Sequence, residues 1–266
     1  MNSNDFMPLE GWDHVELWVG NAKQAAYYYE HAFGFQLTAY AGPETGVRDR
    51  ASYVLEQGDI RLVVTSPLYE DHEITRHQAK HGDGVRDIAL TVPDAADAYE
   101  QALQRGATGV SEPATFEDDF GTIETSAIAT YGDTIHTFVN RSDYAGPFKP
   151  GFVSVASNGR AESGVGLITL DHVVGNVELG KMDYWVEFYE RVFGMTNILW
   201  FTAIDRVGPS RASLFGNLQP FFAVFFALVL LSETLHPLEI AGGVLIFVGI
   251  ALERFWHRPA PVAPES

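Results

Sequence analysis

Histidines near carboxylates are the residues of this sequence whose types and spacing could do chemistry. Three of them, His72, His77 and His81, lie in residues 71–81 (DHEITRHQAKH). His77 and His81 are four apart, a spacing that places two imidazoles on one helix face, where they can bind zinc. No carboxylate or second pair stands at ligand spacing, so the pattern favours a solvated, charged helix. The chain has no cysteine, which excludes disulfides, thiolate metal sites and a cysteine nucleophile.

A second histidine pattern repeats along the chain. The tripeptide Asp-His-Val occurs at 13–15 and at 171–173, and the pattern Tyr-Glu-x-x-Phe-Gly occurs at 29–34 and at 189–194. Such a repeat indicates one structural unit used more than once. His14 and His172 therefore occupy equivalent positions in two units.

The elements that must position these histidines follow the order strand, helix, then three strands. The first unit is predicted as strand 13–20, helix 21–33 and strands 36–41, 51–56 and 60–65, and the second as strand 85–92, helix 93–105 and strands 110–116, 122–129 and 134–140. Asn21 caps the first helix and Gly34 ends it, while Pro93 stands in the first turn of the second.

Two such units predict one domain over residues 11–142. The stretch 143–165 is rich in Gly, Pro and Ser and is predicted to be a linker. A third unit begins with a strand and a helix over 168–193 and lacks its other three strands. Its uncovered strand edge and apolar face should dock on the first domain, bind another chain, or aggregate.

The composition of the sequence changes near position 198, from acidic to largely apolar. Residues 212–232 carry no charge, and a helix of that length crosses the roughly 30 Å hydrocarbon core of a bilayer. A second apolar run, 238–256, is uncharged only over 240–252. Residues 199–256 are thus predicted to form a transmembrane hairpin, followed by a disordered tail at 257–266.

Charge predicts the location and limits the partners. Arginines precede and follow the hairpin, so the positive-inside rule places both of its ends in the cytosol, anchored at an inner membrane face. The N-terminus lacks the basic and apolar regions of a signal peptide, which predicts a cytoplasmic first part. The net charge of the whole chain, -18, is concentrated before position 198 and repels phosphate backbones, so we expect no nucleic-acid partner.

Residues 11–198 resemble 4-hydroxyphenylpyruvate dioxygenase. The resemblance is carried by 11–16 (GWDHVE), 28–34, 84–90 (GVRDIAL), 131–133 (YGD) and 170–177 (LDHVVGNV). It implies an α+β vicinal oxygen chelate fold of paired βαβββ modules. It also implies Fe(II)-dependent conversion of 4-hydroxyphenylpyruvate and O2 to homogentisate and CO2, a step of tyrosine breakdown.

The same resemblance implies which residues would hold the iron. The family's site has two histidines and one carboxylate, with open positions for substrate and oxygen. His172 corresponds to the first ligand, and the other two would lie in a fourth unit that this sequence does not contain. One imidazole does not hold Fe(II) against water, so we expect no stable iron and no dioxygenase turnover from this chain alone.

The first domain offers a second set of equivalent positions. By the repeat, His14, Asp87 and Thr137 correspond to the family's three ligands, but a threonine is a poor iron ligand. His136 is adjacent to Thr137 and is predicted to point to the other face of its strand. The sequence therefore predicts no metal here either.

Residues 199–256 resemble the last two helices of EamA-like drug/metabolite transporters. The resemblance is carried by 208–212 (GPSRA), 217–220 (NLQP), 231–233 (LSE) and 242–246 (GGVLI). Such transporters enclose a path with many helices, so a single hairpin should not transport. Three hypotheses stay open: an inactive dioxygenase fragment that pairs with itself or with an intact relative, a membrane-anchored binding module, and a transporter fragment.

Overall fold

The computed structural model describes residues 6–156 and 164–195. One compact unit spans Met1–Met195 and a second spans Thr196–Ser266. The predicted hairpin at 199–256 and tail at 257–266 lie outside the described residues. Within the described ranges, no helix is long and apolar enough to cross a membrane.

The first module has the expected order. Its elements are β1 (Gly11–Trp18), α1 (Ala22–Phe33), β2 (Gln36–Ala41), β3 (Arg50–Gln57) and β4 (Ile60–Pro67). The Asn21 side chain accepts a hydrogen bond from the Gln24 amide, and Gly34 ends α1 with φ 71°, a left-handed conformation that favours glycine. A charged helix, α2 (Glu73–His81), then leads to the second module.

The second module repeats this order. It contains β5 (Gly84–Thr91), α3 (Ala95–Gln104), β6 (Gly109–Asp118), β7 (Gly121–Ala129) and β8 (Ile135–Asn140). The helix begins two residues later than predicted from Pro93. The reason is that the Asp94 side chain accepts a hydrogen bond from the Asp97 amide and so caps the helix.

The two modules share one curled nine-stranded sheet. A short ninth strand, β9 (Val153–Ser154), lies at one edge of the sheet. The strand order is β6-β7-β8-β5-β1-β4-β3-β2-β9. The modules join where β1 pairs antiparallel with β5, and each module has one parallel pair, β1 with β4 and β5 with β8. Helices α1 and α3 pack on the outer face of the sheet, which leaves the inner face to form a cavity.

The third unit only partly follows the prediction. The strand expected from position 168 does not form, and α4 (Met182–Phe193) is preceded by irregular chain. The equivalent strand of the first module, β1, pairs with β4 on one side and β5 on the other. Within the described part of the chain, residues 164–179 have no neighbouring strands to pair with. Two hydrogen bonds join this segment to the domain: the Asp59 amide donates to the Ile168 carbonyl at 2.6 Å, and the Leu167 amide donates to Oε1 of Gln57 at 3.0 Å.

Helix α4 docks on the second module, which is one of the three outcomes expected for its uncovered apolar face. Phe188, Val192 and Phe193 are buried in one cluster with residues of α3, β5 and β8. Gly194 ends the helix in the left-handed conformation, as Gly34 ends α1. The helix half of the third unit is therefore part of the compact unit, although its strand is not formed.

The Gly- and Pro-rich stretch predicted as a linker folds back onto the domain. Phe148 is 3% exposed, and β9 pairs with the outermost strand of the first module, β2. The aromatic side chains of this stretch bury against the inner face of the sheet, and their burial stabilises its packing on the domain.

Candidate functional site

A cavity of about 430 Å³ lies on the inner face of the sheet. Strands from both modules form its floor, and residues 148–152 cover one side. Its polar lining includes His14, Glu16, Arg50, Ser52, Asp87, Thr137, Arg141 and Lys149, and its aromatic lining is Trp18, Phe116, Phe148 and Phe152. Side chains two apart on a strand share a face, which is why His14, Glu16 and Trp18 of β1 all line it.

A buried ion pair fixes the orientation of His14. Its Nδ1 lies 2.6 Å from Oδ1 of Asp13, and Arg141 donates to the same carboxylate through Nε at 2.5 Å and Nη2 at 2.7 Å. Burial raises the pKa of Asp13, but the hydrogen bonds and positive charges of His14 and Arg141 outweigh it and hold the pKa well below its usual range. Asp13 is thus an anion that fixes the imidazole.

Two further carboxyl groups face the cavity from neighbouring strands. Glu16 and Asp87 are direct partners in the register of β1 and β5. Glu16 accepts a 2.5 Å hydrogen bond from the Thr65 hydroxyl. Asp87 accepts from the Thr137 amide at 3.0 Å and from the Thr137 hydroxyl. Burial raises the pKa of Asp87 to about 6, with the negative charge of Glu16 adding to it.

The structure brings together the three residues that the repeat makes equivalent to metal ligands. His14, Asp87 and Thr137 all line the cavity. However, Thr137 occupies both oxygens of Asp87, and no group of three His, Asp or Glu side chains among residues 6–156 and 164–195 is arranged to hold a metal ion. The donor set in this domain does not fit Fe(II).

His136 points to the opposite face, as predicted. Its Nδ1 lies 2.7 Å from the Ile88 carbonyl oxygen and its Nε2 lies 2.9 Å from the Tyr189 hydroxyl of α4. Burial lowers the pKa of His136 to about 4. This neutral histidine links β8 to α4 and does not reach the cavity.

His172, the predicted first iron ligand, lies in the irregular segment before α4. Its side chain is 72% exposed, and Nδ1 is 2.7 Å from Oδ2 of Asp171. It is not the half-buried strand histidine that an incomplete sheet would leave, because no strand forms there. In the part of the chain that the structure describes, no second histidine and carboxylate join it, so these donors do not fit Fe(II).

The histidines of α2 form a surface charge cluster. The rings of His77 and His81 are 4.7 Å apart. Oδ2 of Asp133 lies 2.6 Å from Nε2 of His81 and 2.7 Å from Nζ of Lys80, and these hydrogen bonds lower the pKa of Asp133 to about 2. Because Lys80 already forms an ion pair with the Asp133 carboxylate, these side chains form a charged face of α2.

Sequence reasoning missed Glu16, Arg141 and Phe148. A signal for Glu16 was present, since it stands two residues after His14 and so on the same strand face. Phe148 was an aromatic residue within a stretch that otherwise resembled a linker. Nothing local marked Arg141, whose partner Asp13 is 128 residues away.

Comparison with known proteins agrees with this geometry. The family model "Glyoxalase/Bleomycin resistance protein/Dioxygenase superfamily" matches residues 11–125. The curled sheet of two βαβββ modules fits the vicinal oxygen chelate fold. The chain is also similar to curated 4-hydroxyphenylpyruvate dioxygenases. That of Dictyostelium discoideum is 46% identical over 189 residues, covering 69% of this chain and 52% of that protein. That of Neurospora crassa is 40% identical over 211 residues, covering 72% and 51%.

Solved structures confirm the vicinal oxygen chelate fold. A mutant of 4-hydroxymandelate synthase from Streptomyces coelicolor is 29% identical with a TM-score of 0.61, over 71% of this chain and 54% of that one. A fusion of a xylose isomerase-like TIM barrel with 4-hydroxyphenylpyruvate dioxygenase is 17% identical with a TM-score of 0.51, over 71% of this chain and 28% of that one. The chain spans about half the length of the curated relatives it matches.

A second family model overlaps the end of this region. The "EamA-like transporter family" model matches residues 182–253, as the resemblance of 199–256 predicted. Its first residues coincide with α4, whose buried side chains pack in the core of the second module. By packing, α4 therefore belongs with the vicinal oxygen chelate domain.

Proposed function

We propose that this chain acts in the 4-hydroxyphenylpyruvate dioxygenase reaction as the N-terminal half of the enzyme and does not turn over alone. The substrate would be 4-hydroxyphenylpyruvate, and the products homogentisate and CO2. The observation that carries the proposal is the 46% identity over 189 residues, 69% of this chain, to the 4-hydroxyphenylpyruvate dioxygenase of Dictyostelium discoideum.

The chemistry of the described donors limits what the chain does by itself. Fe(II) needs two imidazoles and a carboxylate held together. By the resemblance His172 matches one of these ligands, and in the described part of the chain it is not in a group of three His, Asp or Glu side chains that could hold a metal. We therefore place the missing ligands on another polypeptide. A second copy would add only another His172, so the partner we propose is an intact relative of the dioxygenase family.

Homogentisate formation tests this proposal. The purified full chain with stoichiometric Fe(II), ascorbate, O2 and 4-hydroxyphenylpyruvate should give none above a metal-free control. Adding an intact relative carrying a disabling change in its own iron-site histidine equivalent to His172 should restore product only if the two chains assemble. Product from this chain alone would refute the need for a partner.

A second proposal concerns the region after position 198. The match to the EamA-like model and the uncharged runs at 212–232 and 240–252 support a hairpin that anchors the domain to a membrane, with both ends in the cytosol. The domain would then be a tethered binding module. A transporter fragment is less favoured, because one hairpin does not enclose a path.

Carbonate extraction of cell membranes tests the anchor. The full chain should stay in the carbonate-resistant pellet, and a variant with Phe222 and Phe225 changed to Asp should move to the supernatant, since charges at mid-span oppose insertion. Complete release of the unmodified chain by carbonate would exclude the anchor.

A further inference from the structure

The stretch 168–177 has the sequence of a strand but no strand beside it. It is rich in β-branched residues, which favour strands, and it repeats the Asp-His-Val of β1. Ile168 is 71% exposed and Val174 is 75% exposed, whereas Val15 of β1 is 6% exposed. Within the described ranges, the backbone of residues 169–177 forms no hydrogen bond to the domain. Its backbone groups are therefore available to pair with another strand.

The junction of the first two modules shows what such a strand pairs with. β1 and β5 are the first strands of their modules, and they pair antiparallel. Val15 lies opposite Ile88, and these two residues are equivalent, since each follows the equivalent residues His14 and Asp87. The register skips Asp13 on β1 and Arg86 on β5, which are again equivalent. The pairing is thus close to two-fold symmetric about Val15 and Ile88.

A second copy of this chain offers the matching strand for 168–177. Antiparallel pairing of two identical strands is an isologous contact, in which the same residues serve both copies. By the match to β1, the two-fold axis passes at Val173, the equivalent of Val15. The one acidic residue of the stretch, Asp171, falls where the register skips a residue, so like charges do not stand opposite each other. The symmetry of β1 and β5 therefore selects a second copy as the partner.

We propose that residues 169–176 form a strand that pairs antiparallel with the same residues of a second copy, each Val173 lying opposite the other. The pairing would turn exposed strand side chains into cross-strand pairs and supply ladder hydrogen bonds to the backbone. The hydrogen bond from Asp59 to Ile168 lies outside the paired residues and is kept. This dimer does not depend on the proposed dioxygenase reaction, to which a second copy adds no missing ligand.

Single-cysteine variants test the register, because the chain has no cysteine of its own. The full chain with Val173→Cys or Leu179→Cys is treated, in lysate of expressing cells, with a short bis-maleimide that joins two thiols. Opposite side chains on paired strands have Cβ atoms about 4.5–5.5 Å apart, whereas the two copies of residue 179 would lie about 40 Å apart on extended strands. Val173→Cys should give covalent dimer at least tenfold faster, although Leu179 is the more exposed residue.

Two results of this cross-linking would overturn the proposal. Equal rates for the two variants would mean that the thiols meet by chance collision. A main adduct of Val173→Cys with a protein of another mass would mean that the stretch pairs with a different partner.

Self-association of the purified full chain in mild detergent measures the strength of the pairing. Val173→Asp places two carboxylates directly opposite each other and should raise the dimer dissociation constant, measured by sedimentation equilibrium, at least tenfold. Val165→Asp is the matched control: this position is 61% exposed and lies outside the paired residues, so the constant should not change. A chain that is monomeric at every concentration, or a dimer that Val173→Asp does not weaken, would contradict the pairing. If Val173→Asp fails to fold, the cysteine comparison still decides. No iron or 2-oxoacid is present, so either result is independent of the dioxygenase test.

Discussion

Replacing Arg141 by Met should destabilise the vicinal oxygen chelate domain by about 3 kcal/mol. The Asp13 side chain is fully buried and that of Arg141 is 20% exposed, so the change leaves a buried carboxylate without its main partner. Breaking a buried pair in this way costs about 3–5 kcal/mol. We expect the lower end, because His14 at 2.6 Å and Arg61 at 3.7 Å remain beside Asp13.

Hydrogen–deuterium exchange in the full chain measures this loss of stability within the domain itself. Protection of the slowest amides in β1 and β8 should fall about 100-fold, since each 1.4 kcal/mol is a factor of ten. Arg76→Met is the control: its partner Asp71 is 98% exposed, and an exposed pair contributes little.

The double variant with Asp13→Asn isolates the pair. Once the buried charge is absent, losing Arg141 should matter much less, so the two changes should not add. A loss of under threefold in protection for Arg141→Met, or full additivity with Asp13→Asn, would refute the reasoning.

Three further outcomes are expected. Two buried groups give opposite pH dependences between about pH 4 and 6: the raised pKa of Asp87 makes its contribution to stability fall as pH rises, and the lowered pKa of His136 makes its contribution rise. Asp87→Asn removes the falling contribution, so domain stability measured by urea unfolding should rise more steeply with pH in this variant than in the unmodified chain, and an unchanged slope would contradict the raised pKa of Asp87. Phe193→Ala should speed amide exchange in α4 by removing a buried ring at a cost of about 3–5 kcal/mol, whereas exposed Tyr184→Ala should not; equal rates in both variants would count against docking. Phe148→Ala should destabilise the domain by a similar amount and increase proteolysis after residue 142, and unchanged cleavage would mean that Phe148 does not hold the covering stretch in place.

Local signals predicted the elements of the first two modules well. The Asn21 cap, the Gly34 stop and the strand at 36–41 depend on residues close in sequence, and the structure has them as predicted. The repeat of Tyr-Glu-x-x-Phe-Gly correctly indicated that α4 ends at a left-handed glycine as α1 does, whereas the repeated Asp-His-Val at 171–173 does not form a strand. Local propensity and a repeated motif are sufficient where each element carries its own caps and apolar pattern.

Features that depend on distant partners were not predictable in this way. A strand sequence forms a strand only where a neighbour supplies hydrogen bonds, so 168–177 stayed irregular despite its match to β1. The covering role of Phe148 and the pairing of Arg141 with Asp13 arise from folding residues far apart in sequence onto one inner face. The cavity is thus a product of topology, and no short motif encodes it.

The docking of α4 has a consequence for a cleaved form of the chain. The segment 164–179 is largely exposed, while Phe188, Val192 and Phe193 are buried beyond it and Tyr189 bonds to His136. A protease that cuts within 164–179 would break the backbone without releasing α4. The two fragments should remain together as a noncovalent complex, and everything that follows α4 in sequence would stay attached to the domain through one helix.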